Sequence, residues 1–564
     1  MSSIKKSKTL LDITTYAFSQ FAGHILVANV DGEEITYAQA QKKLQTVQQL
    51  LISAGIVQGD KVAICSENMP HWGIVYLAIT SMGAVAVPIL PDFHSNEIHH
   101  IVKHSEAKVI FVSDKMNNKL AEDDFTSSLE FVFSLEKFTL LEDFVKKSEL
   151  LIKGSEKFAL FKAALSKAEP IANVLTINAS DLAVIIYTSG TTGQSKGVML
   201  SHHNLVSQVK QAQKLVTIHE DDRFLSILPL AHTFECSVGL LVPFSNGASI
   251  YYINRTPAPK IILSAMLQVK PTCMLSVPLV IEKIYKSKVL ASFNKNVVIK
   301  YLYNHVGFIR KKLNVIAGKK LLESFGGEVR FFGIGGAKLS PFVEEFLQEA
   351  NFPYAIGYGL TETAPIIAGA VPGKTAVGTT GVLVEGMEHR FVKHGQEEKD
   401  AELHVRGPNV MMGYYKDKVR TDEVLDKDGW LNTGDLGCMN EHGVLSINGR
   451  SKNVIIGASG ENIYPEAIES VLNQHELVVD SLVYELEGKV VAKINIDYDL
   501  FDETHNINKT SDSALYGEII ETLEAIKVEA NSLLASYSKI STVFEQTEPF
   551  IKTPTKKIKR YLHI

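Results

Sequence analysis

Residues 187–197, Tyr-Thr-Ser-Gly-Thr-Thr-Gly-Gln-Ser-Lys-Gly, gather five aliphatic hydroxyls, three glycines and one amine into eleven positions. Gly190, Gly193 and Gly197 let the backbone turn tightly and expose its N–H groups. Thr188, Ser189, Thr191, Thr192 and Ser195, with Lys196, complete a loop suited to gripping phosphate oxygens. That chemistry is the binding of a nucleoside triphosphate. The spacing is not that of the Walker loop, which has four residues between its glycines and then Gly-Lys-Ser/Thr. Here two residues separate Gly190 from Gly193, and Gly197 follows Lys196. A looser Ser/Gly-rich string would read as a flexible surface turn.

The elements that must position this loop follow from periodicity. Leu182–Tyr187 is apolar and β-branched and predicts a buried strand leading into it. Residues 34–113 alternate helical and strand patterns: an amphipathic run to about Ala54, a strand at Lys61–Cys65, a helix around 70–82, and strands at Ala84–Pro88 and Lys108–Val112. That alternation predicts layered α/β structure on a mostly parallel sheet. It resumes from 181 to about 365, with a long, Lys-rich helical stretch at 280–325. Residues 385–448 carry short β-like runs and turn signals and predict a small β subdomain. The last 110 or so residues predict a compact α+β unit in which 481–484 and 490–494 pair as strands and 502–513 form a loop.

A chain of 564 residues exceeds a single core. A net charge of −6 gives no reason to expect nucleic acid, so an anionic ligand must be met by local lysines. Cys65, Cys236, Cys273 and Cys438 lack metal-ligand spacing and are expected to be buried thiols in a reducing compartment. The basic N-terminus is followed by Asp12 and threonines, not by a signal-peptide core. The apolar stretches near 77–90 and 236–253 are broken by Gly83, Pro88, Pro243, Asn246 and Gly247, short of the roughly 18 apolar residues a spanning helix needs. The expectation is a cytoplasmic protein without an integral membrane segment. Peripheral membrane contact and a homodimer remain open.

Other strings carry further chemistry. In Gly333-Ile334-Gly335-Gly336-Ala337, small residues after a strand let a flat ring lie against the backbone. Tyr358-Gly359-Leu360-Thr361-Glu362-Thr363 offers an aromatic ring to stack, a hydroxyl for phosphate and a carboxylate able to hold Mg²⁺. In Trp430-Leu431-Asn432-Thr433-Gly434-Asp435-Leu436, a carboxylate after a turn can accept hydrogen bonds from both hydroxyls of a ribose. Gly449-Arg450-Ser451-Lys452 and Ser459-Gly460-Glu461-Asn462 follow, and Lys552–Arg560 is a basic tail that by charge alone reads as solvated.

These strings, in this order, resemble the AMP-forming acyl-adenylate synthetases, which include acyl-CoA synthetases, peptide-synthetase adenylation domains and firefly-type luciferases. The resemblance covers roughly residues 15–560, with 114–180 and 500–515 poorly matched. It implies ATP, Mg²⁺ and CoA as partners. It places Gly335, Gly336, Ala337, Tyr358 and Gly359 against adenine, Thr361 at phosphate, Glu362 at Mg²⁺ and Asp435 at ribose, with Arg450 complementing ribose or phosphate. It makes residues 1–449 a large domain, 450–452 a hinge centred on Lys452, and 453–564 a small mobile domain, with Gly460 lining the pantetheine tunnel. Lys557 falls in register with the family's adenylation lysine, and Lys556 competes because the family commonly has Gly before that lysine.

The segment Leu228-Pro229-Leu230-Ala231-His232-Thr233-Phe234-Glu235 resembles long-chain fatty acyl-CoA synthetases, as do Val410–Tyr415 and the extended 280–325 stretch. There the resemblance puts His232 near the acyl carboxylate. Thr188, His232, Glu362 and Lys557 are therefore the catalytic candidates. A medium-chain or aryl acid as substrate, and a carrier protein as thiol acceptor, stay open alternatives. A catalytically silent acyl- or nucleotide-binding protein is the reading from another class.

Overall fold

The computed structural model describes residues 4–120, 129–141, 176–188, 195–254, 258–294, 297–393, 401–457, 461–505, 512–553 and 557–564. Two compact units emerge: Met1–Glu388 with Arg406–Leu431, and His389–Val405 with Asn432–Ile564.

The first unit is α/β, as the alternating patterns predict. One sheet has seven strands in the order Gly413–Tyr414, Lys196–Ser201, Leu182–Thr188, Val85–Ile89, Lys61–Cys65, Val109–Val112 and Phe131–Ser134. From Leu182–Thr188 outward to Phe131–Ser134 the neighbours are parallel. Leu182–Thr188 and Lys196–Ser201 are antiparallel, with Thr188 opposite Lys196. The Gly/Thr loop therefore joins two strands of a hairpin, whereas a Walker loop leads from strand to helix.

The unit's other strands run in the order Gly381–Leu383, Ile366–Gly369, Tyr354–Gly359, Phe331–Ile334, Cys273–Ser276, Arg223–Ser226, Ser249–Tyr252, Ile25–Asn29 and Glu34–Thr36. They are parallel from Tyr354–Gly359 through Ile25–Asn29. Both ends turn antiparallel.

Helices form where caps and periodicity agree. Thr36 and Gln39 make a reciprocal capping box at Tyr37–Ser53, whose buried residues Tyr37, Ala40, Leu44, Val47 and Leu51 recur at helical spacing. Ser201 and Asn204 do the same for His202–Leu215. Pro70–Ser81 is buried almost all round, because it packs on Leu10–Gln20 and Tyr37–Ser53 as well as on the sheet. That enclosure accounts for the apolar stretch beginning near 77. Among the described residues no helix is long and apolar enough to cross a membrane.

In the second unit, strands Ala401–Arg406, Leu431–Met439 and Val444–Arg450 are neighbours in one sheet. A separate sheet pairs Val478–Leu486 with Lys489–Ile496 antiparallel and adds Thr542–Glu545 parallel. Helices Pro465–Leu472 and Asp512–Leu533 cover it, and Ile468, Val483, Ile494, Leu523 and Ile526 build the core between. The strands expected at 481–484 and 490–494 pair as Val483 with Ala492 and Tyr484 with Val491.

Residues 389–405 and 432–449 group by contact with the C-terminal segment: Val444–Arg450 packs on Pro465–Leu472, and Asn453 Nδ2 donates to Glu466 Oε1 at 2.6 Å. Two expectations shift. The loop expected at 502–513 is helical up to His505 and again from Asp512. Cys65, Cys236 and Cys273 are buried, but Cys438 is exposed, because it sits on an antiparallel strand whose side chains alternate between faces.

Candidate active site

Within the first unit the ends of separate strands converge on Tyr414. Lys196, at the start of the second hairpin strand, donates from Nζ to Tyr414 Oη at 3.2 Å, with its ammonium 4.4 Å from the ring centre. The Tyr414 hydroxyl donates in turn to Glu362 Oε1 at 2.9 Å. Burial and the neighbouring Glu362 carboxylate push the Tyr414 phenol far above its ordinary pKa, so it stays a neutral donor. An amine, a phenol and a carboxylate thus stand in series beside Thr188, which closes the hairpin opposite Lys196.

Glu362 lies in the short helical turn Thr361–Thr363, reached directly from strand Tyr354–Gly359. The turn is fastened by buried side chains. Asn409 Nδ2 donates to Thr363 O at 2.6 Å and to Ile366 O at 2.9 Å, and Gln208 Oε1 accepts from Ile366 N at 2.8 Å. Asn204 Nδ2 donates to Pro408 O and Val410 O, both at 2.8 Å. Helix His202–Leu215 thereby grips both the Glu362 turn and the segment leading to Tyr414. At Gly359 a Cβ would stand 1.7 Å from Pro365 O, so no larger residue fits the approach.

Gly335 meets Phe234, whose ring edge would lie 3.3 Å from a Cβ placed there. Gly336 has φ +87°, a conformation that favours glycine. Directly behind these segments is an apolar cavity of about 50 Å³. Its wall includes Gly333 and Ile334 from one site-bearing strand, Gly357 from the other, and Phe234 and Val238 from the helical segment after His232. His232 itself is half-buried and does not line the cavity, and its Nδ1 accepts from Phe234 N at 3.3 Å. Tyr358 and Thr361 are half-buried, and Ala337 is exposed.

In the second unit, Asp435 and Arg450 are cross-strand partners, with Arg450 Nε 2.8 Å from Asp435 Oδ1. Asp435 is buried and the Arg450 side chain is 45% exposed, so the guanidinium meets solvent while fixing the carboxylate. Lys452 is exposed within the turn Ser451–Asn453. The C-terminal basic segment is not a solvated tail. Lys552 Nζ lies 2.6 Å from Asp480 Oδ2 and Arg560 Nη1 lies 2.6 Å from Glu469 Oε1. Between these anchors Thr553 N donates to Lys557 O at 2.7 Å, and Lys557 N donates to Thr553 Oγ1 at 3.1 Å. Lys557 is exposed. Ser189, Gly190, Thr191, Thr192, Gly193, Gly460 and Lys556 lie outside the described residues.

Sequence reasoning singled out neither Tyr414, Asn409, Gln208 nor Phe234 as a site residue. Tyr414 and Phe234 stood inside matched strings and could have been found there. Asn204, Gln208 and Gln211, at helical spacing, were the signal for an inward polar face.

Residues 16–415 match the AMP-binding enzyme family. The chain belongs to that family. Its relatives include a peroxisomal long-chain acyl-CoA synthetase of Arabidopsis thaliana, 30% identical over 94% of this chain and 80% of the relative. A long-chain-fatty-acid–CoA ligase of Mycobacterium bovis is also 30% identical, over 94% of this chain and 91% of its own. Among solved structures, ATP-bound MatB of Rhodopseudomonas palustris superposes with a TM-score of 0.74 at 22% identity, covering 98% of each chain. An anthranilate–CoA ligase in complex with anthranoyl-AMP gives 0.76 at 19%, covering 98% and 96%. The structural likenesses establish the fold of this AMP-binding enzyme.

The donor set also bears on Mg²⁺. Among the described residues no three His, Cys, Asp or Glu side chains cluster as a metal cage. The site offers the carboxylate of Glu362, which suits Mg²⁺, an ion commonly held by one or two carboxylates together with substrate phosphates and water.

Proposed function

We infer that the protein is an AMP-forming long-chain fatty acid–CoA ligase, converting fatty acid, ATP and CoA to acyl-CoA, AMP and pyrophosphate. One juxtaposition carries this reading. The strands Phe331–Ile334 and Tyr354–Gly359, which lead into the Gly335–Ala337 and Tyr358–Glu362 segments, also wall the apolar cavity. The adenylate of an apolar acid needs an apolar space and a nucleotide site sharing one wall, and the choice of a long chain is supported by the long-chain acyl-CoA synthetases that are 30% identical over 94% of this chain.

A carboxylate is a poor acyl donor, because its leaving group would be oxide. Its oxygen attacks the α-phosphorus of ATP, the bond to the bridging oxygen breaks, and pyrophosphate leaves. Both reactants are anions, so the protein must align them and offset charge as it develops. Lys196, held by Tyr414, supplies positive charge at the phosphate loop. Glu362 would hold Mg²⁺, which when bound offsets phosphate charge. Thr188 and the loop hydroxyls donate to the departing pyrophosphate, and Asp435, fixed by Arg450, accepts from the ribose hydroxyls. Lys557 bridges carboxylate and α-phosphate. The CoA thiol, losing its proton, then attacks the acyl carbon and releases AMP. Lys452 is the hinge that exchanges the two poses, and Gly460 borders the pantetheine path.

The test is pyrophosphate release with Mg-ATP and acetate, octanoate, palmitate or benzoate, each with and without CoA. Palmitate turnover that requires CoA and yields AMP is expected. Adenylate formation with no turnover on CoA would move the acceptor to a carrier protein. Silence across the panel would leave only acyl or nucleotide binding.

A further inference from the structure

Glu235 is buried, and Ser226 Oγ donates to its Oε1 at 2.6 Å while its Oε2 meets no donor among the described residues. A carboxyl group taken out of water for one hydrogen bond costs stability that an apolar side chain would not. That bond closes residues 226–235 into a loop, from the end of strand Arg223–Ser226 to the helical segment after His232. The middle of the loop is held from the other sheet. Asn68 follows strand Lys61–Cys65 and precedes helix Pro70–Ser81. Its Nδ2 donates to Leu228 O at 2.6 Å and to Ser226 Oγ at 3.1 Å, and its Oδ1 accepts from Leu230 N at 2.8 Å. The side-chain amide meets Leu228 and Leu230 as a peptide group of a neighbouring strand would, on either side of Pro229, which has no N–H to offer. Leu230 is thus held by Asn68 and Glu235 by Ser226, so the segment between them is fixed at both ends. That segment carries His232, and it carries Phe234, which lines the apolar cavity and meets Gly335.

We propose that Asn68 is a positioning residue for the acyl acid, holding His232 and Phe234 in place through Leu228, Leu230 and the Ser226–Glu235 pair. The inference rests on the reading of the acyl site beside His232 and the apolar cavity. A tie that merely joined two sheets would cost stability when cut, with no preference between substrates. The phosphate end of the site is held separately: Gln208 and Asn409 fasten the Glu362 turn, and Tyr414 holds Lys196, through hydrogen bonds that do not involve Asn68. Loosening Asn68 therefore acts on the acid and spares ATP.

Asn68→Ala is made in the full-length protein, and pyrophosphate release is followed with palmitate and Mg-ATP varied in turn. KM for palmitate should rise about tenfold, as two lost backbone hydrogen bonds imply, with KM for Mg-ATP within about twofold of the parent. Displacement of a fluorescent fatty acid by palmitate, which needs no turnover, should weaken by the same factor. Ser226→Ala opens the loop at its base but leaves Asn68 its bonds to Leu228 and Leu230. It should raise KM for palmitate about threefold with KM for Mg-ATP unchanged, and it carries the test if Asn68→Ala does not fold. Both KM values rising together overturns the proposal, as does a lower melting temperature with parent-like KM values. Palmitate displacement that neither variant weakens also overturns it. If the parent turns over no acid while displacement weakens in the variants, the positioning role stands and the ligase reading fails. A parent that binds no palmitate overturns both.

Discussion

Replacing Gly357 with valine should shorten the preferred acyl chain. Gly357 lies on strand Tyr354–Gly359, opposite Gly369, and lines the apolar cavity. A Cβ added there meets nothing nearer than Ile334 O at 4.0 Å. The other site glycines have no such room: a Cβ at Gly333 would stand 2.9 Å from Leu275 and Phe331 side chains, and at Gly369 2.6 Å from Leu215 Cδ1. The three added carbons therefore enter the cavity and displace a comparable length of ligand. At about 0.8 kcal/mol per buried methylene, excluding three costs about 2.4 kcal/mol, roughly sixtyfold in kcat/KM. A chain too short to reach the blocked space loses none of this. Pyrophosphate release should show Gly357→Val roughly sixtyfold weaker on palmitate, mainly through KM, and within about threefold of the parent on octanoate. Valine suits a strand better than glycine, so the melting temperature should not fall. Equal loss on both acids, or undiminished use of palmitate, would refute the placement of the acyl chain in this cavity.

Other outcomes follow from the same geometry. Tyr414→Phe removes a hydrogen bond to the Glu362 carboxylate, a contact worth about 1.5–3 kcal/mol, so kcat/KM for ATP should fall roughly 10- to 100-fold with little change in melting temperature; parent-like kinetics would remove Tyr414 from the site. Lys557→Ala should abolish adenylate formation yet spare thioester formation from supplied acyl-AMP, and equal loss of both half-reactions would assign it a different role. Glu235 is fully buried, accepts a hydrogen bond from Ser226 at 2.6 Å, and is pushed by burial from 4.5 to about 8. Its raised folded value means that the native state keeps a proton the unfolded chain releases, so this stability is intact below pH 4.5 and lost as pH rises through about 8. The melting temperature of Glu235→Gln should therefore gain on the parent between about pH 5 and about pH 9, and parallel curves would show that the folded and unfolded chains hold the Glu235 proton equally, so that burial does not raise its pKa.

The fold was legible where one physical signal dominated. Leu182–Tyr187 read as a buried strand because β-branched residues run unbroken into glycines, and the paired strands around Val483 and Ala492 read as such for a similar reason. The direction of the strand after the loop was not legible. Lys196–Ser201 returns antiparallel beside Leu182–Thr188, and nothing in a Gly/Thr string distinguishes a hairpin from a strand-to-helix turn. Charge alone could not show that the basic tail is anchored. Its lysines and arginine look solvated until Asp480 and Glu469, 72 and 91 residues away, are seen to hold Lys552 and Arg560.

The candidate site divides along the same line. Residues offered to substrate could be read, because a hydroxyl, an amine or a carboxylate beside a glycine turn has chemistry of its own. Residues that position them could not. Gln208 is a polar helix position and Asn409 a polar turn residue, and pattern reasoning sends both outward. Both are buried because their partners are backbone groups of the turn carrying Glu362, 158 and 46 residues distant in the chain. A buried amide is stable only when such groups are satisfied, so the cost of burying Gln208 and Asn409 is offset only while that turn keeps its shape. A loop secured by its own short hydrogen bonds could drift as a body. One pinned from a helix and a distant strand approach cannot, and that restraint keeps the Glu362 carboxylate on Tyr414 and the phenol on Lys196.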